Sequence, residues 1–115
     1  NIEKFTINSS KRIQEAQDRA NREKHSQITP LHLLASMLES QDSLVEKYSR
    51  TLSRYWADAR SVKTELKKLP QIEGNYQLSI SGELQNIFSE AERVSSKMKD
   101  QYITKENLLI DLIAV

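Results

Sequence analysis

The residues of this chain that could do chemistry are two histidines and a few closely spaced acidic residues. His32 falls in the first turn of a helix predicted to begin after Thr29-Pro30, and no carboxylate lies near it in the sequence to orient it as a base. We therefore expect packing and backbone hydrogen bonds to hold His32. His25, next to Ser26 in a predicted turn, is expected to face solvent. No metal site is expected from two histidines separated in this way.

The acidic residues do not suggest a catalytic site either. Glu15 and Asp18, and likewise Glu90 and Glu92, are spaced as charges on the surfaces of helices. The 115 residues include no cysteine, which excludes thiolate nucleophiles, disulfides and Cys-ligated zinc. The chain also lacks a Gly-rich phosphate loop with its lysine. We therefore predict no catalytic residues, no metal and no bound cofactor in this domain.

Charge and hydropathy narrow the possible partners. Seventeen basic and sixteen acidic side chains are mixed along the chain and leave a net charge of +1. This distribution does not create the positive electrostatic field that would attract nucleic acid or an anionic membrane. No apolar run approaches the roughly 20 residues of a membrane span. The first residues, Asn1 to Lys4, lack the apolar segment of a signal peptide. The expected location is the cytoplasm or an organelle interior.

The elements that must position any site are predicted to be helices. Only two glycines and two prolines occur, which favours long helices with few connections and an all-α fold. Apolar residues recur at helical spacing after each capping residue, and residues 70–80 form the one predicted linker. The predicted helices run from Thr6 to about Lys24, from Thr29-Pro30 through Leu38, from Ser43 through Tyr48, from Leu52 to Leu69, from Ser81 to Met98 and from Thr104 to Ile113.

Comparison of the chain with itself predicts an internal duplication. When Thr6 is placed on Ser81, residues 6–40 align without a gap on residues 81–115, and seven of the thirty-five positions are identical. We therefore predict two helical repeats related by a pseudo-twofold axis, with Leu34 and Leu109 equally buried. The first repeat covers about residues 5–69. The second, residues 81–115, has no counterpart of Leu52–Leu69 and ends without a helix terminator, so we expect it to be incomplete and the chain to be part of a longer protein.

Two segments resemble a known family. The capped helix start Thr29–Leu34 (Thr-Pro-Leu-His-Leu-Leu) and the linker Leu69–Gly74 (Leu-Pro-Gln-Ile-Glu-Gly) are similar to segments of the Clp amino-terminal repeat domain. The resemblance extends from Phe5 to about Ala114 and is strongest to the ClpB-type branch of AAA+ disaggregases. It implies a non-catalytic module at the start of a hexameric ATPase, whose absent ATPase modules would bind ATP and Mg²⁺. The implied partners are unfolded or aggregated proteins and, through the parent protein, a DnaK-type chaperone.

The resemblance also implies substrate-binding residues. Thr6, Asp100 and Glu106 match polar family positions, and Val94 keeps an apolar group at one of three positions where leucine is usual. We expect a shallow apolar groove between residues 81–98 and 104–113, with Val94 in its floor and the three polar residues at its rim. Each polar residue also has a structural interpretation, since Thr6 would cap a helix, Glu106 would lie at the positive end of a helix dipole and Asp100 would lie in a turn.

Two alternative functions remain, one within the same family and one from a different class. A ClpC- or ClpA-type domain would dock adaptors or phosphoarginine tags, but the phosphoarginine reader has Gly-Thr-Glu-His in both repeats, and Leu31 replaces the first of its glutamates. A free-standing helical adaptor without an ATPase would have no nucleotide-binding sequence after Val115. The disaggregase interpretation is favoured over both.

Overall fold

The computed structural model describes residues 5–39 and 59–97, which form helices joined by short connections. The predicted helix at Ser43–Tyr48, the start of the next one at Leu52 and the one from Thr104 lie outside these residues. Within them, the class is mainly helical, as predicted. The elements are α1 (Ile7–Arg22), β1 (Gln27–Ile28), α2 (Pro30–Glu39), α3 (Ala59–Lys67), β2 (Ser79–Ile80) and α4 (Gly82–Lys97).

The two long helices begin in the same way. Thr6 is the N-cap of α1, and its Oγ1 accepts a hydrogen bond from Ser9 N at 3.2 Å. Ser81 precedes α4, and its Oγ accepts from Leu84 N at 3.2 Å. Both hydroxyls satisfy amides that have no partner inside the helix. The caps and the helix starts occupy equivalent positions of the self-alignment, as the predicted repeat requires.

A Schellman motif ends α1 and turns the chain inward. Lys24 N–H donates to Asn21 O at 3.2 Å, and His25 N–H donates to Ala20 O at 2.9 Å. Lys24 adopts a left-handed conformation, with φ of 60°, at the position where glycine is usual. The motif directs His25 into the interior, so the expectation that it faces solvent is wrong.

The end of the predicted linker is a short strand. Gln27 pairs with Ser79 and Ile28 with Ile80 in a parallel arrangement, through Ser79 N to Ser26 O at 3.2 Å and Ser81 N to Ile28 O at 3.0 Å. This pair of strands was not predicted from the sequence, because strands this short have no periodicity. Before β2, Ile72 N–H donates to Lys24 O at 2.8 Å, so the linker lies against the Schellman turn.

The core lies where the helices meet. Helix α2 is buried over most of its length, since its sequence is apolar on nearly every side, and it packs against α1 and α3. None of the helices in residues 5–39 and 59–97 is long and apolar enough to cross a membrane. The buried apolar residues on the four helices are Ala16 and Ala20, Leu33, Leu34, Ala35 and Met37, Val62 and Leu66, and Leu84, Ile87 and Ala91.

Candidate functional site

A buried pair of histidines joins the Schellman turn to the start of α2. His25 Nδ1 lies 2.8 Å from His32 Nε2, and the side chains are 4% and 0% exposed. His32 Nδ1 accepts a hydrogen bond from Thr29 N at 2.9 Å. The expectation that His32 is held by backbone hydrogen bonds and packing is confirmed, and its ring partner is the histidine that was expected to face solvent.

The backbone amide of Thr29 determines the tautomers of both rings. A peptide N–H can only donate, so the bond from Thr29 N favours the tautomer in which His32 Nδ1 is unprotonated and the proton lies on Nε2; in that tautomer the Thr29 hydroxyl, 2.8 Å from the same nitrogen, also donates to it. His32 Nε2–H then donates to His25 Nδ1, which leaves the His25 proton on Nε2. The arrangement at Thr29 and His32 is that of a capping box, in which His32 takes the place that Glu or Gln usually has at the third position after the cap.

Charged side chains surround the histidine pair. Arg19, almost fully buried in α1, bonds to Glu23 at 3.2 Å and also to Glu39 at the end of α2, and Lys63 of α3 lies 3.3 Å from the same Glu39 carboxylate. Burial, together with the nearby His25 and Arg19, lowers the pKa of His32 from 6.5 to about 4. This cluster therefore connects three helices and keeps His32 neutral at physiological pH.

Desolvation and the neighbouring cations act on Glu39 in opposite directions. Burial raises the pKa of its carboxyl group, but the hydrogen bonds and charges of Arg19 and Lys63 outweigh this effect. The net result is that the pKa of Glu39 lies below its ordinary value of 4.5. Glu39 is therefore ionised at neutral pH and able to pair with both cations.

Glu23, His25 and His32 together have the residue types of a metal site. Their potential ligand atoms all lie within 4.8 Å of one another. However, His32 Nε2 carries a proton, and the two ring nitrogens at 2.8 Å are closer than the roughly 3.3 Å that tetrahedral zinc with bonds of about 2.05 Å would require. The geometry therefore fits a hydrogen-bonded pair better than a metal centre.

An apolar cavity of about 240 Å³ lies between the two repeats. Two of its lining residues, Ile13 and Phe88, occupy equivalent positions of the self-alignment. The rings of Phe5 and Phe88 make an edge-to-face contact with centroids 5.2 Å apart. The complete lining is Phe5, Ile13, Gln17, Ile28, Leu78, Ser79, Ile80 and Phe88. We call this the inter-repeat cavity.

The structure describes only part of the predicted substrate-binding set. Thr6 is half-buried as the cap of α1 and directly follows Phe5 of the cavity wall. Val94 lies in α4, while Asp100 and Glu106 fall outside the described residues. Whether the four residues meet around one groove therefore stays a prediction, whereas the capping role of Thr6 is confirmed.

Neither the histidine pair nor the cavity was predicted from the sequence. Lysine in place of glycine concealed the Schellman turn. The cavity residues come from separate elements, so no local motif could reveal it. One signal was available, because the alignment of the chain with itself places apolar residues at both members of the pair Ile13/Phe88.

The equivalent caps of α1 and α4, the Leu-rich α2 and the apolar cavity belong to a mainly helical domain. Residues 4–115 match the family model described as the Clp repeat (R) N-terminal domain, and the chain belongs to this family.

Curated relatives agree with this assignment. The chaperone protein ClpB of Brucella suis is 35% identical over 114 residues, covering 97% of this chain and 13% of the relative. The ClpB of Mesorhizobium japonicum is 33% identical over 114 residues, covering 95% of this chain and 13% of the relative. This chain therefore spans about 13% of the length of these relatives.

Two solved structures have the same fold. The Hsp104 N-terminal domain from Candida albicans aligns with a TM-score of 0.76 at 26% identity, covering 94% of this chain and 72% of that chain. The N-terminal domain of ClpV1 ATPase from E. coli aligns with a TM-score of 0.80 at 20% identity, covering 96% of this chain and 68% of that chain.

Proposed function

We propose that this chain is the substrate-binding N-terminal domain of an ATP-dependent protein disaggregase. It engages exposed apolar segments of unfolded or aggregated proteins and helps to deliver them to the pore of the ATPase. Membership of the Clp repeat family and the similarity to ClpB N-terminal regions support this assignment. A ClpV N-domain of the same fold, 18% identical to this chain, has been solved as a complex with VipB peptide.

The inter-repeat cavity is the observation that carries the proposal. Its volume of about 240 Å³ is below the roughly 300–1,000 Å³ of ordinary small-molecule pockets, and its wall is mostly apolar. Ile80 at its edge is 38% exposed, so the cavity wall is reached from solvent on this side. A space of this size suits one apolar side chain of an extended polypeptide better than a metabolite.

Polar groups of the second repeat supply the rim in this proposal. A bound extended segment presents unpaired backbone N–H groups. The carboxylates of Asp100 and Glu106 and the hydroxyl of Thr6 can accept hydrogen bonds from these groups. In this proposal Val94 forms part of the floor of the groove predicted between residues 81–98 and 104–113.

The aligned positions of the first repeat have other roles within the domain. Arg19 bonds to Glu23, His25 pairs with His32 and Leu31 packs against the hydrophobic core. The aligned pairs are Arg19/Val94, His25/Asp100 and Leu31/Glu106.

Binding of a single segment should be weak. Burial of about 200–300 Å² of apolar surface at roughly 25 cal/mol per Å² contributes about 5–8 kcal/mol before the cost of ordering the segment. The expected dissociation constant is therefore high micromolar to millimolar, of the order of 10⁻⁴–10⁻³ M. Several copies around a ring would strengthen binding through avidity.

The same proposal extends to the whole protein. Repeat 1 (residues 5–69), the linker (70–80) and an incomplete repeat 2 (81–115) would precede AAA+ modules that bind ATP and Mg²⁺ and form a homohexamer. A DnaK-type chaperone would cooperate through the parent protein. Leu31 packs against the core of repeat 1, where the phosphoarginine reader has a glutamate, and this favours the disaggregase branch over a tag-reading one.

Nuclear magnetic resonance titration of the chain with a permanently unfolded, apolar-rich polypeptide tests the proposal. We expect shifts at the cavity and at Val94, at least tenfold weaker binding for Ile80→Asp and Val94→Asp, and a smaller loss for Glu106→Ala. Gln77→Asp is the matched control, because it places the same charge on an exposed residue of the same segment outside the cavity. Shifts confined to other surfaces, or equal losses for Gln77→Asp and Ile80→Asp, would contradict the assignment.

A further inference from the structure

One edge of the two-strand pair carries backbone groups that β1 does not use. Ser79 N–H donates to Ser26 O at 3.2 Å and Ser81 N–H donates to Ile28 O at 3.0 Å, so both of these amides face β1. Successive residues of a strand direct their N–H and C=O groups to opposite edges. The backbone groups of Ile80, which lies between the two serines, therefore point away from β1.

The outward edge at Ile80 is accessible. The Ile80 side chain is 38% exposed, and Ser79 is exposed as well. Within residues 5–39 and 59–97, Ile80 N–H has no acceptor, and Ile80 O accepts only a long bond of 3.4 Å from Gln85 Nε2. A bond of this length from an exposed side chain is weak, so both backbone groups can bind an incoming chain.

The inter-repeat cavity lies along the same strand. Leu78, Ser79 and Ile80 all line it, whereas β1 contributes only Ile28. Alternate side chains of a strand point to opposite faces, so a wall of three consecutive residues includes the edge of the strand. A backbone that pairs with this edge would carry its own side chains past the cavity.

We propose that an extended, uncharged segment of a client protein adds to the edge of β2 as a third, antiparallel strand and inserts one apolar side chain into the inter-repeat cavity. This inference rests on the proposed function, for which it specifies the binding mode and the class of segment. In an antiparallel pair, the client residue opposite Ile80 exchanges both backbone hydrogen bonds with it. The side chain of that residue lies on the same face as the Ile80 side chain, which lines the cavity.

The surroundings of the edge favour a segment without charges. None of the residues that line the cavity is charged, and none of residues 75–82 is charged. A charged side chain inserted here would lose its water without gaining a partner of opposite sign. Apolar segments of low charge form the interior strands of folded proteins, and they cause aggregation when unfolding exposes them. The edge and the cavity therefore match strands that a client has lost from its own core.

A second copy of this chain fits the edge less well. Pairing of two β2 edges would leave both cavities without an occupant, because Leu78 and Ile80 of each copy already line the cavity of their own domain. The occupant that satisfies both the edge and the cavity is a different polypeptide.

Two methylated peptides test the proposal on the unmodified chain. The parent probe is the acetylated and amidated peptide Ser-Thr-Thr-Leu-Thr-Thr-Ser, in which the single leucine defines the register. Methylation of the leucine nitrogen removes the N–H that bonds to Ile80 O, so it should weaken binding about tenfold in a nuclear magnetic resonance titration. Methylation of the nitrogen of the next threonine is the matched control. That N–H points away from β2, so the affinity should stay that of the parent peptide.

Amide hydrogen exchange gives a second measurement at the edge itself. When the chain is saturated with the parent peptide, exchange of the Ile80 amide should slow by about tenfold or more, because the amide gains an acceptor. The Ser79 amide, which already bonds to Ser26 O, should exchange at the same rate with and without peptide. Unchanged exchange at Ile80 in the bound state would overturn strand addition.

The outcomes separate this inference from the proposed function. If the parent peptide shifts the cavity residues but the two methylated peptides bind equally, or in the reverse order, strand addition as described is wrong and the proposed function stands. If the parent peptide does not bind, both are wrong. Dimers that form through the Ile80 edge without peptide, measured by sedimentation, would also overturn the inference and identify a second copy as the occupant.

Discussion

The two repeats begin alike and differ in the polar residues that follow. Helices α1 and α4 start at equivalent positions of the two repeats, each after a hydroxyl cap that accepts an amide proton at 3.2 Å. Ala16 and its counterpart Ala91 are both buried. In contrast, the positions that follow carry different residue types in the two repeats. The aligned pairs are Arg19/Val94, His25/Asp100, Leu31/Glu106 and His32/Asn107.

This difference separates the residues that the fold requires in both repeats from the residues that can differ between them. Caps and small apolar positions recur because they define the helix and its packing. In the first repeat, the variable positions hold buried polar groups that bond to one another and keep the turn closed. The residues of the second repeat cannot form a histidine pair, so those positions are available for another use, which we propose is substrate binding.

The largest expected effect concerns the equivalence of the two Leu-rich helices. Leu34 is 1% exposed, and Leu34→Ala should lower the free energy of unfolding by about 2–5 kcal/mol because it leaves a cavity in the core. Leu109→Ala should have a similar effect if the second repeat buries its leucine equally. Denaturant titration measures both, with Leu34→Met as a volume-conserving control expected to cost less than about 1.5 kcal/mol. A cost below about 1 kcal/mol for Leu109→Ala would break the predicted symmetry.

An effect of intermediate size should appear in how the stability of the first repeat depends on pH. His32 has a pKa of about 4 in the folded chain against 6.5 as the ordinary value, so the unfolded chain binds more protons between these pH values. The stabilisation is complete above pH 6.5 and is lost as the pH falls towards 4, by about 3 kcal/mol in total.

The pH dependence of thermal unfolding measures this effect. His32→Gln should have a shallower dependence, because glutamine can maintain the capping box but does not titrate. Amide exchange should show the acid effect in residues 29–33 before residues 104–108, where Asn107 replaces the histidine. An identical pH dependence in His32→Gln would show that other groups dominate.

The smallest effect compares the two caps. Thr6→Ala and Ser81→Ala should each cost about 1 kcal/mol, since each leaves one helix-end amide without its side-chain acceptor. Thr6→Ser keeps the cap, so it should preserve stability in denaturant titration. If Thr6→Ser also preserves client binding, the hydroxyl alone serves both helix capping and client binding. If binding is lost at unchanged stability, the methyl group of Thr6 has a separate role in binding.

The sequence by itself determined where the described helices begin, and it predicts the duplication. A hydroxyl residue before an apolar periodic segment predicts where a helix begins, because the cap and the first-turn amides are close in the chain. Thr6, Ser81 and Pro30 were therefore placed correctly. Leu34 is buried as predicted, since burial of one helical face is encoded at a fixed spacing.

Only the tertiary structure decided the polar pair and the cavity. His25 is buried because a Schellman turn with lysine at the glycine position directs it inward. The turn is stabilised by the residues that it packs against, which are distant in the sequence. The partner of β1 is a strand far along the chain, at Ser79 and Ile80, and so short a contact carries no repeat in the sequence. The inter-repeat cavity exists only where Phe5 and Phe88 meet, because its shape depends on how separate elements pack and not on the spacing within any one of them.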